Sequence, residues 1–244
     1  VLLASMAKYQ RVFALQGAGG RLLPKFVAVL EGKPKTPSSV RQMYEHILNA
    51  RLADSLSFWK QDTKVPFEKG KNLSSVTFHE KLGSMEDKTQ RLSKLAAVLA
   101  NAWALSSDQN HLERACVLAK HDLVTTMVKE FPTLQGVMGK YYAKASGEPQ
   151  VVADAIGEQY LPLGGQRPQT QIGCALALLD KYDTLASYFS VGIEPTGDQD
   201  PFGLRRAAQG IVESSWQGHQ PVPLTTLFTA WQGTAPFAKG AAHA

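Results

Sequence analysis

The run Gln171-Ile-Gly-Cys-Ala-Leu-Ala-Leu-Leu-Asp-Lys-Tyr-Asp-Thr-Leu-Ala-Ser-Tyr-Phe-Ser190 contains no proline, and its Leu176, Leu179, Asp180, Asp183 and Thr184 recur at intervals of three and four. Side chains at those intervals share one face of an α-helix, so the spacing predicts a helix that carries carboxylates among apolar residues. Leu112 to Glu130 reads as a second helix, with Cys116, Ala119, Leu123 and Met127 facing inward. Ser84, followed by Glu86 and Asp87, marks the start of another, as an N-cap with an acidic first turn should. Leu92, Leu95, Ala96 and Leu99 then form its buried stripe. Breaks at Pro66, Gly70, Gly83, Pro132, Gly147 to Pro149, Pro162 to Pro168 and Pro195 to Pro201 separate five or more helices, and the fold class is mainly α.

The one convincing β signal lies upstream. Arg11 to Leu15 and Leu22 to Leu30 read as two strands joined by the glycine-rich Gln16 to Gly20, a hairpin. Gly32 to Ser39 is a Pro/Ser/Lys linker, after which Val40, Met43, Ile47, Leu48 and Leu52 take up helical spacing. Three regions follow: residues 1–38, a β-hairpin segment with its linker; 39–212, helical; and 213–244, a Gly/Pro/Thr/Ala-rich irregular tail with one apolar cluster, Leu224 to Trp231.

At 244 residues and 44% hydrophobic content the chain can bury one large core or two small ones, and its Gly, Pro and charged fractions exclude a disordered or collagen-like chain. The longest apolar stretch, Leu95 to Leu105, is interrupted by Asn101 and falls short of a bilayer span. The start at Val1 shows no signal-peptide pattern, and Cys116 and Cys174, within apolar helical patterns, read as buried thiols of a reducing compartment, not as a disulfide framework. Residues 1–70 hold 11 Lys/Arg against 5 Asp/Glu, whereas the remainder is near neutral. Such a basic segment is compatible with contact to a phosphate backbone and equally with a solvated surface.

His121-Asp122 and the distant Asp180 invite a metal hypothesis. An HD-type phosphohydrolase holds a divalent cation with a first His, an adjacent His-Asp pair and a distant Asp, leaving a position for water. Here Lys88 stands where the first His belongs, and a charged ammonium cannot ligate a metal. The competing reading makes His121, Asp122 and Asp180 structural, or pairs them with Lys88, because buried charges need partners. Phosphate-loop, dinucleotide and nucleophile signatures are absent. Trp59 after Phe58, and Tyr141-Tyr142, read as base-stacking residues or as core edges. Arg205-Arg206, near a helix start, would clamp phosphate or pair with Asp198 and Asp200, and Lys25 and Arg51 are further candidate RNA contacts.

Longer strings carry a resemblance. Ala50-Arg-Leu-Ala-Asp-Ser with Phe58-Trp59, Phe78-His-Glu-Lys-Leu-Gly-Ser-Met with Asp87-Lys88, and Leu118-Ala-Lys-His-Asp-Leu-Val-Thr resemble the middle of the β subunit of bacterial-type glycyl-tRNA synthetase. So do Met127-Val-Lys-Glu-Phe-Pro-Thr-Leu-Gln-Gly-Val-Met-Gly-Lys-Tyr-Tyr-Ala, Gly147-Glu, Asp180-Lys-Tyr-Asp-Thr-Leu and Pro195-Thr-Gly-Asp-Gln-Asp-Pro-Phe-Gly-Leu-Arg-Arg-Ala-Ala. The resemblance covers residues 1 to about 212. The chain departs from the family where Met43-Tyr44-Glu45 replaces a Gly-Asn-Glu turn, and residues 213–244 match no pattern of it.

The resemblance implies a helical HD-like domain that has lost its metal chemistry, with Lys88, His121, Asp122 and Asp180 as the degenerate site. It implies no catalytic residue, metal or cofactor in this chain, tRNA or structured RNA as a partner, and a separate α subunit that forms glycyl-tRNA. The expected compartment is the cytoplasm. A synthetase-derived structural or RNA-contacting subunit of a larger, organellar assembly is the alternative, and a metal-dependent HD phosphohydrolase is a second.

Overall fold

The computed structural model describes residues 2–6, 12–69, 72–218 and 221–234 and is mainly α. It contains two compact units: residues 1–64 with 126–134, and residues 65–125 with 135–244.

The first unit opens with a short helix, α1 (Leu2–Ser5), followed by strands β1 (Val12–Gln16) and β2 (Leu22–Ala28). They pair antiparallel, with Phe13 opposite Val27 and Ala14 opposite Phe26, and the register slips between Ala14 and Gln16. The expected first position, Arg11, lies outside the described residues, and β2 ends two residues early. Pro24 is tolerated in β2 because a two-stranded ribbon is all edge. Helix α2 (Pro37–Asp62) starts with proline in its first turn, where no intrahelical donor is lost. Only Leu48 and Ser55 of α2 are buried, and Met43, placed on the apolar spacing, is exposed. Leu48 packs with Met6, Val12, Phe26 and Tyr44 into a small core. Asp62, the last residue of α2, accepts the amides of Thr126 (2.9 Å) and Met127 (3.0 Å), which caps α5 (Thr126–Glu130).

The second unit holds the main core. A small hairpin, β3 (Thr77–His79) with β4 (Gly83–Ser84), precedes α3 (Met85–Ala102); its strands are too short to leave a period in the sequence. Ser84 caps α3 as its sequence predicts: its hydroxyl accepts the Asp87 amide, and the Asp87 carboxylate accepts the Ser84 amide (2.7 Å). Helices α4 (Gln109–Leu118), α6 (Val137–Ala145), α7 (Gln150–Glu158), α8 (Gln171–Ser190), α9 (Leu204–Gly218) and α10 (Leu224–Gln232) follow. Every residue from Ile172 to Asp183 of α8 is buried, because α3, α4, α7, α9 and α10 all pack on it. A helix covered all round has no solvent stripe, so its charged residues must be paired inside.

Two sequence readings need correction. Leu112 to Glu130 is not one helix: α4 ends at Leu118, His121–Val124 forms a 3-10 turn, and the chain then passes into the first unit as α5. The described residues after 212 are largely helical, not irregular. Helix α9 continues to Gly218, and α10 buries Leu227 and Trp231 completely, with the Tyr182 hydroxyl donating to the Leu224 carbonyl (3.1 Å). Its Thr- and Gly-rich composition hides this, since burial of two side chains on one turn decides the fold there.

Candidate functional site

Helix α3 presents Lys88 and Arg91, one turn apart, to the face of α8 that carries Asp180, Asp183, Thr184 and Ser187. Lys88 Nζ lies 3.2 Å from Asp180 Oδ1 and 3.1 Å from Asp183 Oδ2, and donates to the Asp180 carbonyl (3.0 Å) and Thr184 Oγ1 (2.9 Å). Arg91 grips Asp183 in a fork, Nε to Oδ1 at 2.6 Å and Nη2 to Oδ2 at 3.0 Å. Trp231 of α10 donates its indole N–H to Asp183 Oδ1 (3.0 Å). From beyond the end of α4, Lys120 Nζ reaches Asp180 Oδ2 (3.0 Å) and sits 4.1 Å from the centre of the Tyr160 ring. Lys88, Arg91, Lys120, Asp180 and Asp183 are all buried.

Burial opposes ionisation of Asp180, but Lys120, Lys88 and Lys181 outweigh it and hold the carboxyl far below the usual range. Burial opposes ionisation of Asp183 as well, and Lys88 and Arg91 reverse it. Asp122 behaves oppositely. Burial pushes it up to about 6, and the Gly136 amide it accepts at Oδ2 (2.5 Å), together with Lys120, offsets only part of this. His121 packs edge-on against Phe67 (5.8 Å between centroids), and burial depresses its pKa. Among the described residues no three His, Cys, Asp or Glu side chains gather closely enough to hold a cation. The ammonium of Lys88 occupies the space between the α8 carboxylates. Chemically, this arrangement clamps α3, α8 and α10 together.

The sequence reading placed Lys88 and Asp180 in one site, and the structure brings them into contact. Arg91, Lys120 and Trp231 were missed. Arg91 had a signal, lying one turn after Lys88. Trp231 was noted only as part of an apolar cluster, since only packing brings α10 to α3 and α8.

The candidate RNA contacts divide. Lys25 is exposed on β2, and Arg51 is paired with Asp54 (3.9 Å) on α2. Asp200 spends both oxygens capping α9, on the amides of Leu204 (2.8 Å) and Arg205 (3.0 Å). The Arg205 guanidinium donates to the Thr196 carbonyl, whereas Arg206 lines an open cavity.

A family model described as the glycyl-tRNA synthetase beta subunit matches residues 1–242. The chain belongs to that family. The match runs past residue 212, so the C-terminal segment that the sequence reading left outside the resemblance is inside it. Glycine–tRNA ligase beta subunits of Bacillus subtilis (44% identical over 216 residues, 87% of this chain and 32% of the relative) and Desulforudis audaxviator (45% over 215 residues, 86% and 31%) are similar to it. That of Shouchella clausii is 42% identical over 231 residues, 93% of this chain and 33% of the relative. The chain therefore spans about a third of the length of these curated relatives. No helix among the described residues is long and apolar enough to cross a membrane.

Proposed function

We propose that this chain is a non-catalytic, tRNA-associated portion of a cytoplasmic glycine–tRNA ligase β subunit, supporting glycyl-tRNA formation by a separate α subunit. Its second unit is a helical HD-like domain whose metal site is degenerate. One observation carries this reading: the Lys88 ammonium stands between Asp180 and Asp183, where a catalytic cation would need a neutral or anionic ligand. Family membership supplies the β-subunit context.

The chain alone is expected to give no pyrophosphate exchange with glycine and ATP, and no stoichiometric manganese, iron or zinc in elemental analysis. It is expected to bind tRNA with an affinity that falls with salt. Exchange abolished by a point mutation in this chain, or a metal lost on Asp122→Ala, would overturn the non-catalytic reading.

A further inference from the structure

Pro162 to Arg167 and one face of α9 enclose a cavity of about 370 Å³, lined by Arg167, Arg206, Gln209 and Glu213 around Gly164 and Gly165. The loop is built by a two-residue turn. Leu163 and Gln166 exchange both backbone hydrogen bonds at 3.0 Å, and Gly164 and Gly165 take φ of +58° and +80°, as a type I′ turn requires. That turn presents Arg167 on the same cavity as Arg206, from the first turn of α9.

The charge balance there is one-sided. Both arginines are exposed, and among the described residues neither guanidinium is held by an ion pair or a side-chain hydrogen bond. The one carboxylate of the lining, Glu213, accepts the Gln209 side-chain amide (2.7 Å). Behind the wall, Gly210 lets α9 settle on the Lys181 side chain, since a Cβ there would fall 2.6 Å from Lys181 Cδ and Cε. The Lys181 ammonium is held by the carbonyls of Leu161 (2.5 Å), Ala177 (3.2 Å) and Gln159 (3.4 Å) and interacts with the Asp180 carboxylate, so it fixes the wall and leaves the two arginines as the cations that face the cavity. Two guanidinium forks on one cavity suit a tetrahedral oxyanion, which accepts bidentate hydrogen bonds from each fork.

We propose that Arg167 and Arg206 form a phosphate-binding pocket on the second unit, in which each guanidinium takes one face of a phosphate of an RNA backbone. The inference rests on the RNA-binding reading only for the source of the phosphate. Arg205, whose guanidinium is tied to Thr196, is not part of it.

Two measurements on the whole chain test this. Inorganic phosphate, titrated into isotope-labelled protein, should shift the amides of residues 163–167 and 206–213, and Arg167→Ala or Arg206→Ala should abolish the shifts. Fluorescence anisotropy with a short RNA duplex across a salt series should show each variant weakening binding roughly ten-fold, as loss of a charge-assisted pair does, and lowering the log–log salt slope by roughly one unit. Arg206→Lys should keep the slope while losing affinity, because lysine keeps the charge and not the fork. Phosphate binding without RNA binding would uphold the pocket and make a free phosphate its occupant. RNA binding that neither variant changes, with no phosphate response, would overturn the pocket and leave the RNA reading standing. No response to either would overturn both.

Discussion

Asp122 and Asp180 are both buried carboxylates, both were candidate metal ligands on the sequence alone, and they hold their protons in opposite ways. Asp180 touches Lys88 and Lys120 and is held ionised; Asp122 accepts a glycine amide and is pushed up to about 6. Burial is nearly equal, so the difference lies in who stands beside each group. Contact with a cation within about 4 Å repays the desolvation of a carboxylate, and backbone amides with a more distant Lys120 do so only in part. The α8 face is thus a clamp of full charges, and the turn at His121–Val124 is a weakly polar packing element.

The largest test of the contrast removes the hub of the clamp. Asp183→Ala leaves Lys88 and Arg91 without their shared carboxylate and Trp231 without its acceptor, and should cost about 3–5 kcal/mol in urea unfolding. Replacing Lys88, Arg91 and Asp183 together by apolar residues of similar size should cost far less, since no charge is then stranded. A loss below about 1 kcal/mol for the single variant would show that the clamp is not what the geometry says.

The second test reads the pH dependence. The folded pKa of Asp122, about 6, lies above its unfolded value of 3.8. Its ionisation therefore favours the unfolded chain, and stability that is full below about pH 4 is lost as pH rises through 6, up to about 3 kcal/mol. Asp122→Asn keeps an acceptor for the Gly136 amide and removes the charge. The variant should match the wild type at pH 4 and exceed it increasingly up to about pH 6, with a constant gap above. His121 contributes to both proteins and cancels. For Asp180 and Asp183 the sign reverses: their folded pKa values are depressed, so their contribution is present above the ordinary carboxylate range and is lost as pH falls through it. A wild-type-to-variant gap that shrinks as pH rises would contradict the assignment for Asp122.

Some of this contrast was legible in the sequence. Ser84 with Asp87 announced the capped start of α3, and the spacing of Asp180, Asp183 and Thr184 placed them on one face of α8. Lys88 at the expected His position pointed to its pairing. The break after Leu118 was not legible, because Cys116, Ala119, Leu123 and Met127 keep helical spacing through a 3-10 turn and into another unit. Trp231 was legible only as the end of a short apolar cluster, without its partner on α8, and Arg167 was hidden in a Gly/Pro loop. Both acquire meaning only when the fold brings α10 to α8, or α9 beside the turn at Gly164 and Gly165.

The smallest expected effect comes from the same chemistry placed in water. Arg114 of α4 forks onto Glu148 (Nε at 3.2 and 3.1 Å, Nη2 at 2.5 Å) and reaches Glu68 (2.9 Å), so it has as many carboxylate contacts as any cation of the buried clamp. Its side chain is 36% exposed, and that of Glu68 44%. Solvent satisfies much of the charge on Arg114 and Glu68, and although Glu148 is only 14% exposed, less desolvation is repaid and less is stranded on removal than in the fully buried clamp. Arg114→Ala should cost no more than about 1 kcal/mol, and the deficit should shrink at about 1 M salt, where exposed charges are screened beyond about 3 Å. The Asp183→Ala deficit should barely change with salt, because ions do not enter the buried clamp. Unfolding of both variants at low and high salt measures the contrast directly: a loss of several kcal/mol for Arg114→Ala, insensitive to salt, would mean that the number of contacts sets the strength of these clusters, and burial does not.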